Sequence, residues 1–382
     1  MKFRPSTSFR RLCRRLHYWF GVGIAVPFFL IAISGCIIGF GREVDMLLSP
    51  EFYRATGPDL TVSAQQVLDT ARADSSVPVM TLQVPGPDLP VWIVSLGNGK
   101  GTGIGIQREV FIDPQSGSIL GERETYPTLI RFMHRLHDAL LMDETGRQLV
   151  GYLGLMLAGL IVTGLFVWLP PPQGWRRSFL PRRGAKGTRW LLDWHTAAFA
   201  WPLLLIVLVT VTGITLEFPQ TTRAALGQSG GMGMMGMGMA GPVLPPANAY
   251  PIDADKAMVQ ARLALPGYEV INMSPAGLDR PMWRVNMRSE QGLWQGRRQV
   301  MVDARNGVAH SHAPAEGFGA FYVAEQHGLH GGNSFGLVGR TVICFGGLSQ
   351  AFLAVSGLLV WVRRRRRGGV KAVPQTIASQ EV

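Results

Sequence analysis

Eight histidines are the residues of this 382-residue chain best suited to chemistry near neutral pH, because imidazole titrates there and is also the commonest metal ligand. Six of them recur at matched positions. His134 and His137 open a stretch that ends at Trp168, and His327 and His330 open one that ends at Trp361. Between these ends Gly146-Arg147, Gly154 and Gly164 return as Gly339-Arg340, Gly347 and Gly357, at a constant offset of 193 residues. His17 leads an apolar run to Ser34-Gly35 and His195 one to Thr212-Gly213, with 18 residues from histidine to glycine in both. A single histidine at a membrane boundary is commonly an interfacial residue. Ionisable groups in membrane segments nevertheless default to function, and six on symmetric landmarks point to a shared ligand role. Only His310 and His312 stand outside the pattern.

The chemistry narrows by donor type. Structural or catalytic zinc wants further thiolates or carboxylates, and no carboxylate recurs beside these histidines in both halves. The three cysteines, Cys13, Cys36 and Cys344, form neither a C-x-x-C-H nor a cluster, which excludes covalent c-type haem and iron–sulfur centres. Haem iron accepts two axial imidazoles. The expectation is two b-type haems, one between His17 and His195 at the cytoplasmic level and one between His137 and His330 at the external level. Gly35 and Gly213 sit about 27 Å along a straight helix from their histidines, at 1.5 Å per residue. That puts them at the external level, with Gly164 and Gly357 at the cytoplasmic one, where a missing side chain admits a flat macrocycle. The competing reading of these glycines is ordinary Ser/Thr-Gly helix packing. His134 and His327, one turn earlier on the same face, are alternative ligands, propionate partners or substrate contacts.

The elements that must carry these residues follow from hydropathy. Four apolar runs are long enough for a bilayer core, which takes ~20 residues: 18–40, 149–169, 195–216 and 338–362. The net charge of +12 is concentrated in 1–17, 170–194 and 363–382, each with six Lys/Arg, and the rest of the chain is net acidic. By the positive-inside rule these three segments are cytoplasmic, so orientation rather than nucleic-acid binding explains the charge. External segments then run over 41–126 and 217–320. Each continues into a histidine-bearing segment, 127–148 and 321–337. Each half enters the membrane with the same orientation, the signature of a parallel repeat. The fold class expected is an integral membrane all-α four-helix bundle with two external α+β modules and a two-fold internal parallel repeat. Ile33-Ser34-Gly35-Cys36 resembles a lipoprotein cleavage site, but the apolar run continues through Phe40.

In the first external segment, Val62–Ala73 has helical periodicity, followed by strands at Met80–Val84, Pro90–Leu96 and Glu109–Ile112 and a turn at Asp113–Gly117. The second repeats the order: a helix at Asp253–Leu265, strands at Glu269–Met273, Met282–Met287 and Gln299–Val302, and a turn at Asp303–Gly307. Two small external α+β units are expected, one per half. The G-x-G within Gly99–Gly105 lacks the strand–turn–helix frame of a nucleotide loop. The Met-rich loop 230–241 reads as a flexible segment, although thioethers also suit Cu(I).

Together, LHYWFGV (16–22), LHDALLMDETGR (136–147), TGLFVW (163–168), DWH (193–195), LHGGNSFGLVGR (329–340) and SGLLVW (356–361) resemble the PepSY-associated transmembrane helix family of bacterial inner-membrane proteins. VFIDPQSG (110–117) and VMVDARNG (300–307) look like the ends of PepSY-type modules. Length and layout are most similar to siderophore reductases of the FoxB type. The resemblance implies two haem b groups and reduction of ferric siderophores. It also implies an inner-membrane location with both termini cytoplasmic. No phosphate-binding loop or flavin motif appears, so the electron donor is expected to be a membrane quinol or a cytoplasmic donor. The polar hydroxamate or catecholate groups of a siderophore place its reduction at the periplasmic face. Two rival readings remain from the residues alone: a non-redox regulatory or protease-inhibitor module on membrane anchors, and a copper-handling protein using the Met-rich loop.

Overall fold

The computed structural model describes residues 6–57, 59–73, 77–97, 106–169, 179–228, 249–278, 280–290, 294, 296–311 and 316–368. The Met-rich loop, His312 and all of Gly99–Gly105 lie outside the described residues. In chain order the helices are α1 (Thr7–Gly39), α2 (Gly41–Leu48), α3 (Ala64–Ala73), α4 (Leu129–Ala139), α5 (Asp143–Trp168), α6 (Gly187–Ala200), α7 (Leu203–Glu217), α8 (Pro219–Ala225), α9 (Ala254–Ala264), α10 (Gly317–Gly331) and α11 (Gly336–Gly368). The strands are β1 (Val79–Gln83), β2 (Trp92–Gly97), β3 (Ile106–Ile112), β4 (Ile119–Glu124), β5 (Tyr268–Ser274), β6 (Met282–Ser289), β7 (Arg297–Asp303) and β8 (Ala309–Ser311).

Three helical segments, Thr7–Gly39, Asp143–Trp168 and Asn333–Arg366, are long and apolar enough to cross a membrane. The chain is a membrane protein. The run expected as one helix over 195–216 is instead a bent pair: α6 and α7 meet at 66°. The cause is Pro202, which has no amide hydrogen to continue the helical ladder and whose ring crowds the preceding turn. The straight 27 Å rise expected from His195 to Gly213 therefore does not apply, because the two residues lie on different helices. α1 tolerates Pro27 without a break and keeps His17 and Gly35 on one helix. α1 packs on α4, α5 and α11; α11 packs on α6 and α7; α5 and α10 both pack on α7.

The external segments depart from expectation in a second way. They do not form two separate units. Their strands join in one eight-stranded antiparallel sheet, ordered β4-β3-β2-β1-β5-β6-β7-β8. The seam is short, with Leu82 opposite Met273 and Gln83 opposite Asn272, extended by the Val84 amide donating to the Ile271 carbonyl. Two edge strands, β4 and β8, were not anticipated. On one face α3 and α9 cover a core of Leu68, Leu82, Trp92, Met273, Trp283 and Met287. The two helices also cap each other. Asp255 of α9 accepts from the Ala64 and Gln65 amides at 2.8 and 3.2 Å, and Gln65 accepts from the Ala254 amide at 3.1 Å, so each supplies acceptors for the other's orphan donors. The two Asp-to-Gly turns match: Gly117 and Gly307 take φ of 73° and 77°, a region open to glycine.

The opposite face of the sheet is polar at the seam. Asn286 donates to Asn272 at 2.7 Å, and Gln299 donates to Asn286 at 3.1 Å. Beyond it Arg123 bridges Asp45 of α2 and Glu109 of β3, at 2.7 and 2.8 Å, and the Tyr53 hydroxyl donates to Asp45. This network ties α2, which follows the first membrane helix, to the sheet.

Candidate functional site

Four histidines come together as two pairs. His17 of α1 and His195 of α6 have ring centroids 6.4 Å apart with planes at 86°. His137 of α4 and His330 of α10 have centroids 6.0 Å apart at 50°. Two imidazoles sharing one metal, each nitrogen ~2 Å away, have centroids roughly 6 Å apart.

Each histidine stands against the glycine of another helix. A Cβ added at Gly164 would lie 3.0 Å from His17 Cε1, at Gly35 2.7 Å from His137, at Gly213 3.2 Å from His330 and at Gly357 3.5 Å from His195. The glycines admit the imidazole ring itself, a closer role than the approach of a macrocycle expected from sequence.

The hydrogen bonds assign the tautomers. His17 Nδ1 lies 3.1 Å from the Leu160 carbonyl and His137 Nδ1 2.8 Å from the Ile31 carbonyl. A carbonyl only accepts, so both Nδ1 atoms carry hydrogen. His195 Nδ1 meets Ser356 Oγ at 2.8 Å and His330 Nδ1 meets Thr212 Oγ1 at 3.0 Å. Those hydroxyls donate to carbonyls of their own helices, which leaves them to accept from the rings. All four Nε2 atoms then hold the lone pair, as a metal-ligating imidazole requires, with the partner on Nδ1 that orients such ligands. Desolvation, first, holds His137 and His330 below the ordinary imidazole range, so both are neutral near pH 7. In the second pair His137 adds to the depression of His330. The Ser and Thr partners were legible as the residue before each glycine, but in that position they read equally as packing.

A cavity of about 1300 Å³ extends from the His17/His195 pair, larger than the ~300–1,000 Å³ of ordinary ligand pockets. Its walls are apolar, with Phe28 and Ile206 deep inside, and Arg14, Arg182, Arg189 and Arg364 stand at its basic end. Arginine forks match carboxylates, so the lining fits a flat apolar group with acidic substituents. Among the described residues no group of three or more His, Cys, Asp or Glu could hold a metal ion. The donor set among the described residues is two imidazoles per pair, which fits the two axial positions of a haem iron.

His134 and His327 do not join the pairs. Both are exposed, and His134 Nδ1 lies 2.9 Å from Asp138. His327 keeps an exposed edge, but the protein packed around the rest of its ring and then the nearby Arg297 charge hold it below its ordinary range. The turn after His137 is strained, with Leu140, Leu141 and Asp143 at φ of 46°, 65° and 50°. Gly146 and Gly339 explain their own recurrence: a Cβ would fall 1.8 Å from the Ala139 carbonyl oxygen and 2.1 Å from that of Gly332. The arginines that follow them reach across the halves, Arg340 to Glu43 at 2.7 Å and Arg147 to Glu217 at 3.9 Å.

A family profile described as PepSY-associated TM region matches residues 14–364. A comparison with curated proteins returned no match.

Proposed function

The chain belongs to the PepSY-associated transmembrane family, and from that premise we propose that it is a di-haem b-type inner-membrane reductase. It passes electrons across the membrane to ferric siderophores, after the manner of the FoxB type, and releases Fe(II) in the periplasm. The observation that carries this reading is the facing of His17 with His195 and of His137 with His330, each Nε2 left as a lone pair. Haem bound at the two levels would supply one-electron chemistry.

The chain's own residues do the rest. His17 and His195 hold the cytoplasmic level, and the arginines of the cavity receive acidic substituents there. His137 and His330 hold the external level beneath the sheet. Leu160, Ile31, Ser356 and Thr212 orient the rings. The four membrane segments work as a parallel-repeat bundle, with residues 170–194 and both termini in the cytoplasm. A membrane quinol or cytoplasmic donor supplies electrons, because no nucleotide or flavin motif is present in the sequence. The acceptor is met outside, since a siderophore's polar groups resist transfer through the bilayer core.

The test uses prereduced protein oriented in vesicles, with ferric siderophore added to one side. Haem reoxidation from the periplasmic side is expected; reoxidation from the cytoplasmic side alone, or from neither, contradicts the reading.

A further inference from the structure

A second cavity, of about 540 Å³, opens at the seam of the sheet. It exists only because β1 and β5 pair, and α2 closes one side of it. Gln83 and Asn272 contribute amides, and Arg42, Arg288 and Arg297 contribute guanidinium groups. Arg288 is committed to Asp88 at 3.0 Å and Glu269 at 3.8 Å. Arg42 and Arg297 are not: among the described residues neither has a carboxylate within ion-pair distance, and Arg42 has only Gln83 Oε1 at 3.3 Å. Both are solvent-accessible at the cavity. Glu290 is the one remaining carboxylate of the lining. Arg42 and Arg297 line the same cavity; desolvation lowers the Arg297 pKa, the Arg288 and Arg42 charges lower it further, and Glu325 opposes them. Two cationic groups facing one cavity repel each other, and an anion bound between them relieves that repulsion. Arg297 also lies near enough to His327 for its charge to lower that pKa, and His327 is one turn before His330 on the same helix.

We propose that the seam cavity binds a multi-oxygen anion between Arg42 and Arg297, and that this anion is the carboxylate part of an iron chelate awaiting reduction. The inference rests on the proposed reductase function and names its substrate class: a carboxylate-bearing, anionic chelate rather than a cationic one. Outside its three basic segments the chain is net acidic, but the guanidinium groups at the seam make this cavity itself favour an anion. The same chemistry also exists in a phospholipid headgroup, since α2 starts two residues after the first membrane helix ends.

The probe is gallium citrate, a redox-silent tricarboxylate chelate, titrated onto the full-length protein in zwitterionic nanodiscs. Wild type is expected to bind it. R42A and R297A should each weaken binding about tenfold, from the loss of one charge-assisted contact, and R42K and R297K should restore part of it. Unchanged binding in the R42A/R297A double variant, or no binding by wild type, overturns the proposal. Loss of binding when phosphatidylglycerol is added to the nanodiscs also overturns it, by assigning the cavity to a headgroup. The reductase reading fails separately, if the prereduced protein passes electrons to neither ferric citrate nor a cationic ferric trihydroxamate.

Discussion

His137 rests so closely on Gly35 that a Cβ added there would lie 2.7 Å from its Cε1. The four glycine–histidine contacts form a graded series, and the grading is itself a prediction. G35A should be worst, with overpacking of about 1–3 kcal/mol and loss of one of two haems. G164A and G213A should be intermediate, at 3.0 and 3.2 Å, and G357A, at 3.5 Å, close to wild type. Haem content per chain and the thermal midpoint of each variant read the order.

The hydroxyl partners divide by role. Ser356 and Thr212 accept from His195 and His330, whereas Ser34 bonds only carbonyls of its own helix at 2.7 and 3.0 Å. S356A and T212V should each lower haem affinity by roughly 10–100-fold, the scale of ligand-orienting contacts. S34A should leave it within about twofold, well inside that scale. Haem transfer to an apo-acceptor protein measures this directly.

Arg123 should couple the sheet to the membrane helix. Its removal leaves Asp45 and Glu109 as unpaired charges, both with little exposure. R123M should cost about 3 kcal/mol or more and free α2 from β4. Thermal unfolding, with hydrogen exchange of residues 41–48, tests both parts.

Acid stability should depend on the two matched turns. Burial would raise the Asp113 pKa, but amides of Ser116, Thr56 and Gln115 outweigh it and hold it at about 2. The Arg305 side chain does the same for Asp303, also about 2. Both lie below the unfolded value of ~3.9, so their contribution is full above about pH 4 and is lost as pH falls toward 2. D113N should cost more than D303N, because Asp113 also accepts from Thr56, 57 residues away, while among the described residues the Asp303 side chain bonds only to Arg305. Near-UV circular dichroism against pH should show the acid limb flattened in both variants.

Local pattern made the membrane runs, the two Asp–Gly turns and most of the strands legible, because hydropathy and turn chemistry act over a few residues. The offset of 193 placed His137 and His330 at equivalent positions before any geometry was known. What escaped was non-local. Pairing of Leu82 with Met273 merges the external segments into one sheet, and nothing within β1 or β5 marks them as partners. Pro202 was visible, but Pro27 lies equally deep in an apolar run and leaves α1 unbroken, so proline alone does not tell a break from a tolerated residue. Arg42 and Arg297 are 255 positions apart in sequence and come to line one cavity through the seam.

The most direct test of the central claim is haem stoichiometry, from the absorption spectrum and pyridine haemochrome of the purified protein. Wild type should hold two haem b per chain, with H17A and H195A losing one and H137A and H330A losing the other. Colourless protein, or full haem content in all four variants, would contradict the account.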